Sequence, residues 1–342
     1  MAAIMTQLSY RERVFRTFSF QTVDKVAFDL MENTVWPEIS AYFSKAHGLN
    51  SVDEILDFLD CDFRWIFALS PFSQPVAGRD HFSDNQSQGL LADIDDVNQL
   101  DRLFNPNPDH RIIPDFRQFS DRYPHHARIF APLWMPAFYN CCMDFGMETA
   151  LCYLMTQPEL IQAYVEKHSE CTLSVLKHAL EQGAAKYCDF YWIGDDFASE
   201  TTLLMHPDIW RQIFKPSISK QVKLAREAGL MVLFHSCGAV SDVYEDFIEM
   251  GIQAHCGVQT SAYNMSIEQL ASGYGGRFVV YGGVDAQTTL IQEQPAGVMD
   301  AVQRNMLAFE PYGGYVVSNA HHTLSDLPGE NLVAMAKGAG RI

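Results

Sequence analysis

The chain has 342 residues, 48% hydrophobic and 19% charged, which excludes a disordered, collagen-like or repeat-dominated protein and leaves apolar mass for a sizeable core. Its 24 lysines and arginines against 42 aspartates and glutamates give a formal charge of −18. That field repels phosphate backbones and anionic lipid, so neither nucleic acid nor a membrane surface is an expected partner.

Eight cysteines without paired spacing exclude a disulfide scaffold and a zinc ribbon. The opening MAAIMTQLSYRER has no apolar stretch before a small-residue cleavage site. No run approaches the roughly 18 apolar residues that begin to span a bilayer. These features predict a cytoplasmic, reduced protein whose cysteines are buried hydrophobes or metal ligands.

In chain order, a helical preface leads to strand candidates at Val26–Leu30 and Phe63–Phe67. Residues 72–125 are rich in Asp, Asn, Gln, Pro and Ser, and read as a long insertion, either a lid over the site or a structural collar. A strand at Ala127–Phe130 follows, and Trp134 and Phe138 beyond it either line a pocket or pack in the core.

From there one grammar repeats: amphipathic helix, glycine stop, short apolar run, polar residues. A helix over 157–182 opens on a capping box from Thr156 to Glu159 and stops at Gly183 before Phe190–Ile193. A helix from Pro207 stops at Gly229 before Met231–Phe234. A third, ending at Gly251, feeds Ile252–Cys256. A fourth, capped by Ser266 and Gln269, feeds Phe278–Tyr281. A last one, 296–309, feeds Tyr315–Val317.

Short, continuously apolar strands alternating with helices predict an α/β fold with a parallel sheet buried on both faces. Every strand ends in polar or reactive residues, whereas a doubly wound sheet concentrates them at one switch point, and no Gly-x-Gly-x-x-Gly follows a strand. The prediction is therefore a (β/α)8 TIM barrel with an N-terminal helical preface and the 72–125 insertion, a single domain over 1–342.

His235 and Cys237 lie two apart just past an apolar strand, so their side chains share one side and offer a nitrogen and a sulfur to one metal ion. His321 follows the last strand at the same end and supplies a third donor. Three protein ligands with one open position describe a catalytic zinc site. The competing reading is a packed histidine and a buried cysteine.

Asp195 and Asp196 also follow a strand and read either as a helix cap and a solvated carboxylate, or as a general base, a partner to the metal site or a substrate clamp. Asp285, after Tyr281 and two glycines, stands where backbone can approach a ligand closely or simply turn. His255 and Cys256 are adjacent in a strand, point to opposite faces and are both assigned to the core, with Gln259 the better pocket residue. Cys141 and Cys142 are read as structural.

Taken together, Arg11-Glu-Arg13-Val14, Asp24-Lys-Val26, GDDF at 194–197, the Pro207–Pro216 helix, FHSCGAV at 234–240, YGGVDAQ at 281–287 and the segment from Ser325 to Asn331 resemble the uroporphyrinogen decarboxylase superfamily. The resemblance covers nearly the whole chain and implies a (β/α)8 barrel with one of two activities. One is cofactor-free decarboxylation of uroporphyrinogen; the other is zinc-dependent methyl transfer between a corrinoid protein and a small molecule. The decarboxylases carry an Arg-Gln-Ala-Gly-Arg type motif that holds substrate carboxylates. No such motif occurs here, and an octacarboxylate suits a chain of −18 poorly.

The methyltransferase branch uses His-x-Cys and a later cysteine as zinc ligands. His235 and Cys237 match the first two, and His321 stands where the later cysteine is expected. Zinc held by one thiolate and two neutral imidazoles carries +1 rather than zero, which favours polarising a substrate heteroatom over activating a thiol.

The resemblance thus implies Zn²⁺ on His235, Cys237 and His321, with Asp195, Asp196 and His322 as groups that orient substrate or move a proton. Gln259, Tyr281 and Asp285 would be substrate contacts, a corrinoid protein and a small methylated substrate the partners, and a homodimer the assembly. The rival readings are a metal-free decarboxylase or lyase using Asp195 or Asp196 as acid/base, and a non-enzymatic barrel that binds a cobamide or small ligand.

Overall fold

A computed structural model describes residues 7–68, 89, 91–100, 113–132, 134 and 136–342. Eight parallel strands make one curled sheet among them: β1 (Ala27–Phe28), β2 (Phe63–Ala68), β3 (Ala127–Pro132), β4 (Phe190–Gly194), β5 (Met231–His235), β6 (Ala254–Val258), β7 (Val279–Val284) and β8 (Tyr315–Asn319). Their order is β1-β8-β7-β6-β5-β4-β3-β2, with helices between successive strands from β3 onward. The architecture is α/β and TIM-barrel-like.

No ladder joins the two ends of the sheet, β1 and β2, among the described residues. The reason is local: β1 is two residues long because the chain leaves the strand direction at once and enters the tight turn Met31–Asn33. Asp62 spans the seam instead, its N–H donating to the Phe28 carbonyl (2.8 Å) and its carboxylate accepting the Phe28 N–H (2.8 Å).

Strand alternation divides the core in two. Phe63, Trp65, Ala127, Ile129, Phe190, Trp192, Leu233, Ala254, Cys256, Val279, Tyr281 and Val316 point inward and form one buried cluster. The opposite parity, Phe130, Tyr191, Val232, Phe234, Val280 and Val317, packs outward beneath the helices. Each buried Phe in either cluster contributes roughly 1.5–3 kcal/mol. His255 and Cys256 separate as their parity requires: Cys256 faces the interior, while His255 lies outside, its ring nitrogens bonded to the Tyr244 hydroxyl (2.6 Å) and the Ser236 carbonyl (2.9 Å).

The helix Tyr10–Phe18 precedes β1 and seals the N-terminal end, its Val14 and Phe18 joining the interior cluster. Charges lock it there. Arg11 donates twice to Asp189 (3.0 and 2.8 Å); Arg13 bridges Asp24 (2.8 Å) and Asp62 (2.5 Å); Arg341 reaches the same Asp62 (3.0 Å). The Arg-Glu-Arg segment that carried part of the family resemblance is therefore structural.

Three local expectations change. The Thr156 capping box does not form, because the Thr156 hydroxyl turns back to the Cys152 carbonyl (3.0 Å) and Gln157 caps helix Pro158–Glu181 without a side-chain bond. The helix from Pro207 is two helices, Pro207–Ile213 and Lys215–Glu227, since Pro216 lies inside the first turn of the second. The sixth strand starts at Ala254 and runs to Val258, its register against β7 shifting between Cys256 and Val258. By contrast the Ser266/Gln269 box is present as expected. Cys141 and Cys142 are buried in the outer core. Of the 72–125 insertion, the described parts include the helices Val97–Leu100 and Phe116–Arg122; Leu91, Leu100 and Phe116 join the outer core, and the rest of the segment lies outside the described residues.

Candidate metal centre

His235 is the last residue of β5 and follows Met231 and Leu233 on the inward parity, so its ring enters the C-terminal mouth of the barrel. The rings of Trp134 and Trp192 flank it at 5.7 and 6.0 Å between centroids. Two glycines permit this placement. A Cβ on Gly257 would lie 2.6 Å from His235 Nδ1, and one on Gly194 would strike Trp134 and His235.

The ring is fixed chemically as well. Burial lowers the His235 pKa, so the ring is neutral, and its Nδ1 lies 2.8 Å from the Cys256 carbonyl. That contact requires the proton on Nδ1 and leaves the Nε2 lone pair toward the mouth. Cys237 Sγ lies 3.6 Å from Nε2, and Asp196 Oδ1 lies 3.6 Å from the same nitrogen. Asp196 is held by the Cys237 amide, which donates to its Oδ1 at 2.8 Å. The three donor atoms all fall within 4.8 Å of one another.

This donor set fits zinc. Two ligand atoms with zinc bonds near 2.0 and 2.3 Å at a tetrahedral angle stand about 3.5 Å apart, the separation seen from His235 Nε2 to each partner. Burial, then the Asp196 carboxylate, pushes the Cys237 thiol well above its ordinary range. A thiol and a carboxylate crowded beside a neutral imidazole disfavour each other's charge. A divalent cation reverses that, converting thiol to thiolate.

The remaining expected residues divide. His321 is close enough to lower the pKa of His235 by its charge, and its own Nδ1 faces the His322 carbonyl at 3.1 Å, which leaves its Nε2 as the free donor. His322, its pKa lowered to about 4 by burial and the two neighbouring histidines, lies 4.0 Å from Glu32. Gln259 accepts the Gly238 N–H (3.0 Å) and so braces the loop that carries Cys237.

Asp195 is placed differently. Its two oxygens accept the Phe138 and Tyr139 amides (2.7 and 3.0 Å) at the start of helix Ala137–Phe145; burial raises its pKa to about 7 against the pull of those amides. Asp285 caps its own turn through Gln287 and Thr288. Tyr281 is fully buried inside the barrel, its hydroxyl donating to Asp29.

Glu32 was not singled out in the sequence, yet it stands at the mouth. It lies on the Met31–Asn33 turn with φ 60° and ψ 4°, and Asn33 follows at φ 49°. Left-handed backbone at two successive non-glycine residues costs roughly 1–3 kcal/mol each, and the surroundings hold it. Asn319 accepts the Met31 N–H (3.0 Å); Asn33 accepts the Trp65 N–H (3.1 Å) and donates to Asp29 (3.1 Å). Burial, then the charge of Asp196, raises Glu32 to about 7. The available signal was its position directly after the first apolar run, where every other strand also ends in polar residues.

An inward histidine, a thiol and a carboxylate at the C-terminal mouth of a parallel, barrel-like sheet define the class: an α/β barrel protein with a metal-capable centre where such folds place their sites. The sequence profile of the uroporphyrinogen decarboxylase family matches residues 117–341, and the chain belongs to that family. Among solved structures, a methyltransferase from Methanosarcina mazei is similar with a TM-score of 0.68 at 15% identity, covering 98% of this chain and 99% of that one. A GH18 chitinase, ChiB, from the chitin utilization locus of Flavobacterium johnsoniae reaches a TM-score of 0.39 at 7% identity, over 88% and 91% of the two chains. The IOLI protein with a bound zinc atom reaches 0.38 at 10% identity, over 92% and 96%. No curated protein matches the chain. No helix among the described residues is long and apolar enough to cross a membrane.

Proposed function

We propose that this protein is a zinc-dependent methyltransferase that moves a methyl group between a small methylated substrate and a corrinoid protein. The observation that carries the reading is the cluster of His235, Cys237 and Asp196, whose donor atoms lie within 4.8 Å of one another, with Cys237 and Asp196 each 3.6 Å from His235 Nε2. The family and the fold shared with a methyltransferase support it. Zinc bound there supplies Lewis acidity to the heteroatom that loses or gains the methyl group.

The chain's own residues do the rest. His235, locked in one tautomer by the Cys256 carbonyl, and Cys237, braced by Asp196 and Gln259, hold the ion. Asp196 or His321 is the third donor, and the choice sets the charge of the centre: neutral with Asp196, +1 with His321. Trp134 and Trp192 wall the centre and keep water from the face opposite the opening. His322 and Glu32 stand on the other side of the mouth, where they orient substrate or carry its proton. Asp195 keeps a different part, anchoring the Phe138 end of its helix. A cytoplasmic location and pairing of two barrels belong to the same reading.

Metal analysis of purified protein beside Cys237→Ser, Asp196→Asn and His321→Ala tests the centre. Zinc near one per chain, lost in Cys237→Ser and reduced in one of the other two, is expected; unchanged zinc in all three would sink the site. Methylation of reduced cobalamin from methylated amines, ethers and thioethers, measured on the same samples, tests the reaction. Activity that survives complete chelation would instead favour metal-free decarboxylase or lyase chemistry. Zinc without transfer to any reduced cobamide would favour a binding protein.

A further inference from the structure

We propose that His255 is a positioning residue for the metal centre: from the outer face of β6 its ring holds the Ser236 carbonyl and so fixes the peptide that carries Cys237. The inference rests on the reading of His235 and Cys237 as metal ligands and goes beyond it, because the His-x-Cys pattern does not reach β6 and side-chain parity turns His255 away from the mouth.

The surroundings of His255 suit an apolar residue. Its neighbours across the sheet are Phe234 on β5 and Val280 on β7, and the rings of Tyr244 and Phe247 lie against it. It is wholly buried, and a polar ring in such a layer costs stability unless its nitrogens are met. Both are met. The Ser236 carbonyl at 2.9 Å can only accept, so Nε2 carries the proton; Nδ1 then accepts from the Tyr244 hydroxyl at 2.6 Å. Burial, which lowers its pKa to about 3, keeps the ring neutral in this one tautomer.

The Ser236 carbonyl belongs to the peptide that joins Ser236 to Cys237, past the end of β5 at His235, where the sheet ladder no longer sets the backbone. The N–H of the same peptide donates to Asp196 Oδ1 at 2.8 Å. In a trans peptide C=O and N–H point in opposite directions, so His255 grips the plane from the outer layer and Asp196 grips it from the mouth. A fixed plane fixes the Cα of Cys237 and with it the direction of the thiol.

Strand β6 thus acts twice on the centre. The Cys256 carbonyl holds His235 Nδ1 at 2.8 Å on the inner side, and His255 holds the Ser236 carbonyl on the outer side. Two adjacent residues of one strand set the nitrogen and the sulfur that stand 3.6 Å apart. Without the His255 bond the peptide can rotate and draw its N–H away from Asp196.

Cobalt(II) bound in place of zinc reports the thiolate directly. Full-length protein freed of metal is titrated with Co²⁺ alone, and the thiolate-to-cobalt band and the affinity are recorded for wild type, His255→Asn, His255→Gln, Tyr244→Phe and Cys237→Ser, beside urea melts of the same metal-free samples. An asparagine amide reaches only as far as the ring's Nδ1, so it keeps Tyr244 and loses Ser236; a glutamine amide reaches as far as Nε2 and restores the donor. Tyr244→Phe breaks the other bond and leaves Ser236 held. Expected for His255→Asn are a shifted thiolate band and Co²⁺ affinity weakened roughly ten- to hundredfold, the range for partners beyond the ligands themselves. His255→Gln should recover most of the affinity, and Tyr244→Phe should unfold at lower urea with the wild-type band and affinity. A folded His255→Asn with the wild-type band and affinity overturns the proposal. Affinity that merely follows urea stability across the three variants overturns it too, and in both cases the centre stands on a wild-type thiolate band that Cys237→Ser lacks. A wild type without that band overturns the centre itself and the proposal with it.

Discussion

The two ends of this barrel treat their buried charges in opposite ways. At the N-terminal end Asp24, Asp62 and Asp189 each face an arginine, with Arg13 and Arg341 converging on Asp62 from different parts of the chain. At the C-terminal mouth Asp196 and Cys237 gather on a neutral His235, and Glu32, raised to about 7 by burial and the Asp196 charge, has only His322, at 4.0 Å, among the described residues. One end is complete as folded protein; on the proposed function the other is completed by a cation. The difference separates residues kept for stability from residues kept for chemistry, the division expected between the bottom and top faces of a barrel.

The contrast can be broken from either end. The largest effect is expected at the mouth: Cys237→Ser removes the soft donor, so zinc content and methyl transfer should both be lost while the melting temperature of the metal-free protein barely moves. Replacing Arg13 by Met should do the reverse. It strands the buried Asp62 beside a single remaining arginine and costs about 3–5 kcal/mol in urea unfolding, with zinc affinity unchanged in the folded fraction.

The pH dependence of stability should differ in sign between the ends. Asp24 is held at about 2 by Arg13 and the Leu8 amide, outweighing its burial, so its contribution is present above the unfolded carboxylate pKa and is lost as pH falls from about 4 through about 2. Glu32 is raised from 4.5 to about 7, so metal-free protein should lose stability as pH rises through that window. Glu32→Gln should then be more stable than wild type at pH 8, by up to about 3 kcal/mol, and equal to it at pH 4. Urea melts of both chains at the two pH values decide this. The smallest change is expected for Asp195→Asn, which leaves one of two amides poorly met and should cost about 1 kcal/mol with transfer retained; a loss of transfer without loss of zinc would return Asp195 to the chemistry.

Much of this was legible in the sequence because it is periodic. Strand parity alone put His255 and Cys256 on opposite faces; that Cys256 is the inward one, and that His235 ends the inward series of β5, came from the tertiary structure. The His-x-Cys spacing was equally plain. Asp195 and Asp196 could not be separated by sequence, since adjacent residues diverge in direction and only the position of the Ala137–Phe145 helix shows which carboxylate is consumed as an anchor. Glu32 was hidden for a related reason: a two-residue strand gives almost no pattern, and a left-handed turn at glutamate leaves no glycine to mark it.

The sequence by itself therefore determined the alternation of helix and strand, the parallel sheet, and a nitrogen and a sulfur at one end of it, because those follow from short-range periodicity and covalent spacing. Tertiary structure decided which carboxylate meets that pair, Asp196, and how the seam between β1 and β2 is spanned. It also decided that an asparagine on the last strand ties the first turn to His321. Those contacts join residues up to 288 positions apart, where the meeting is set by how the sheet curls and not by any local preference.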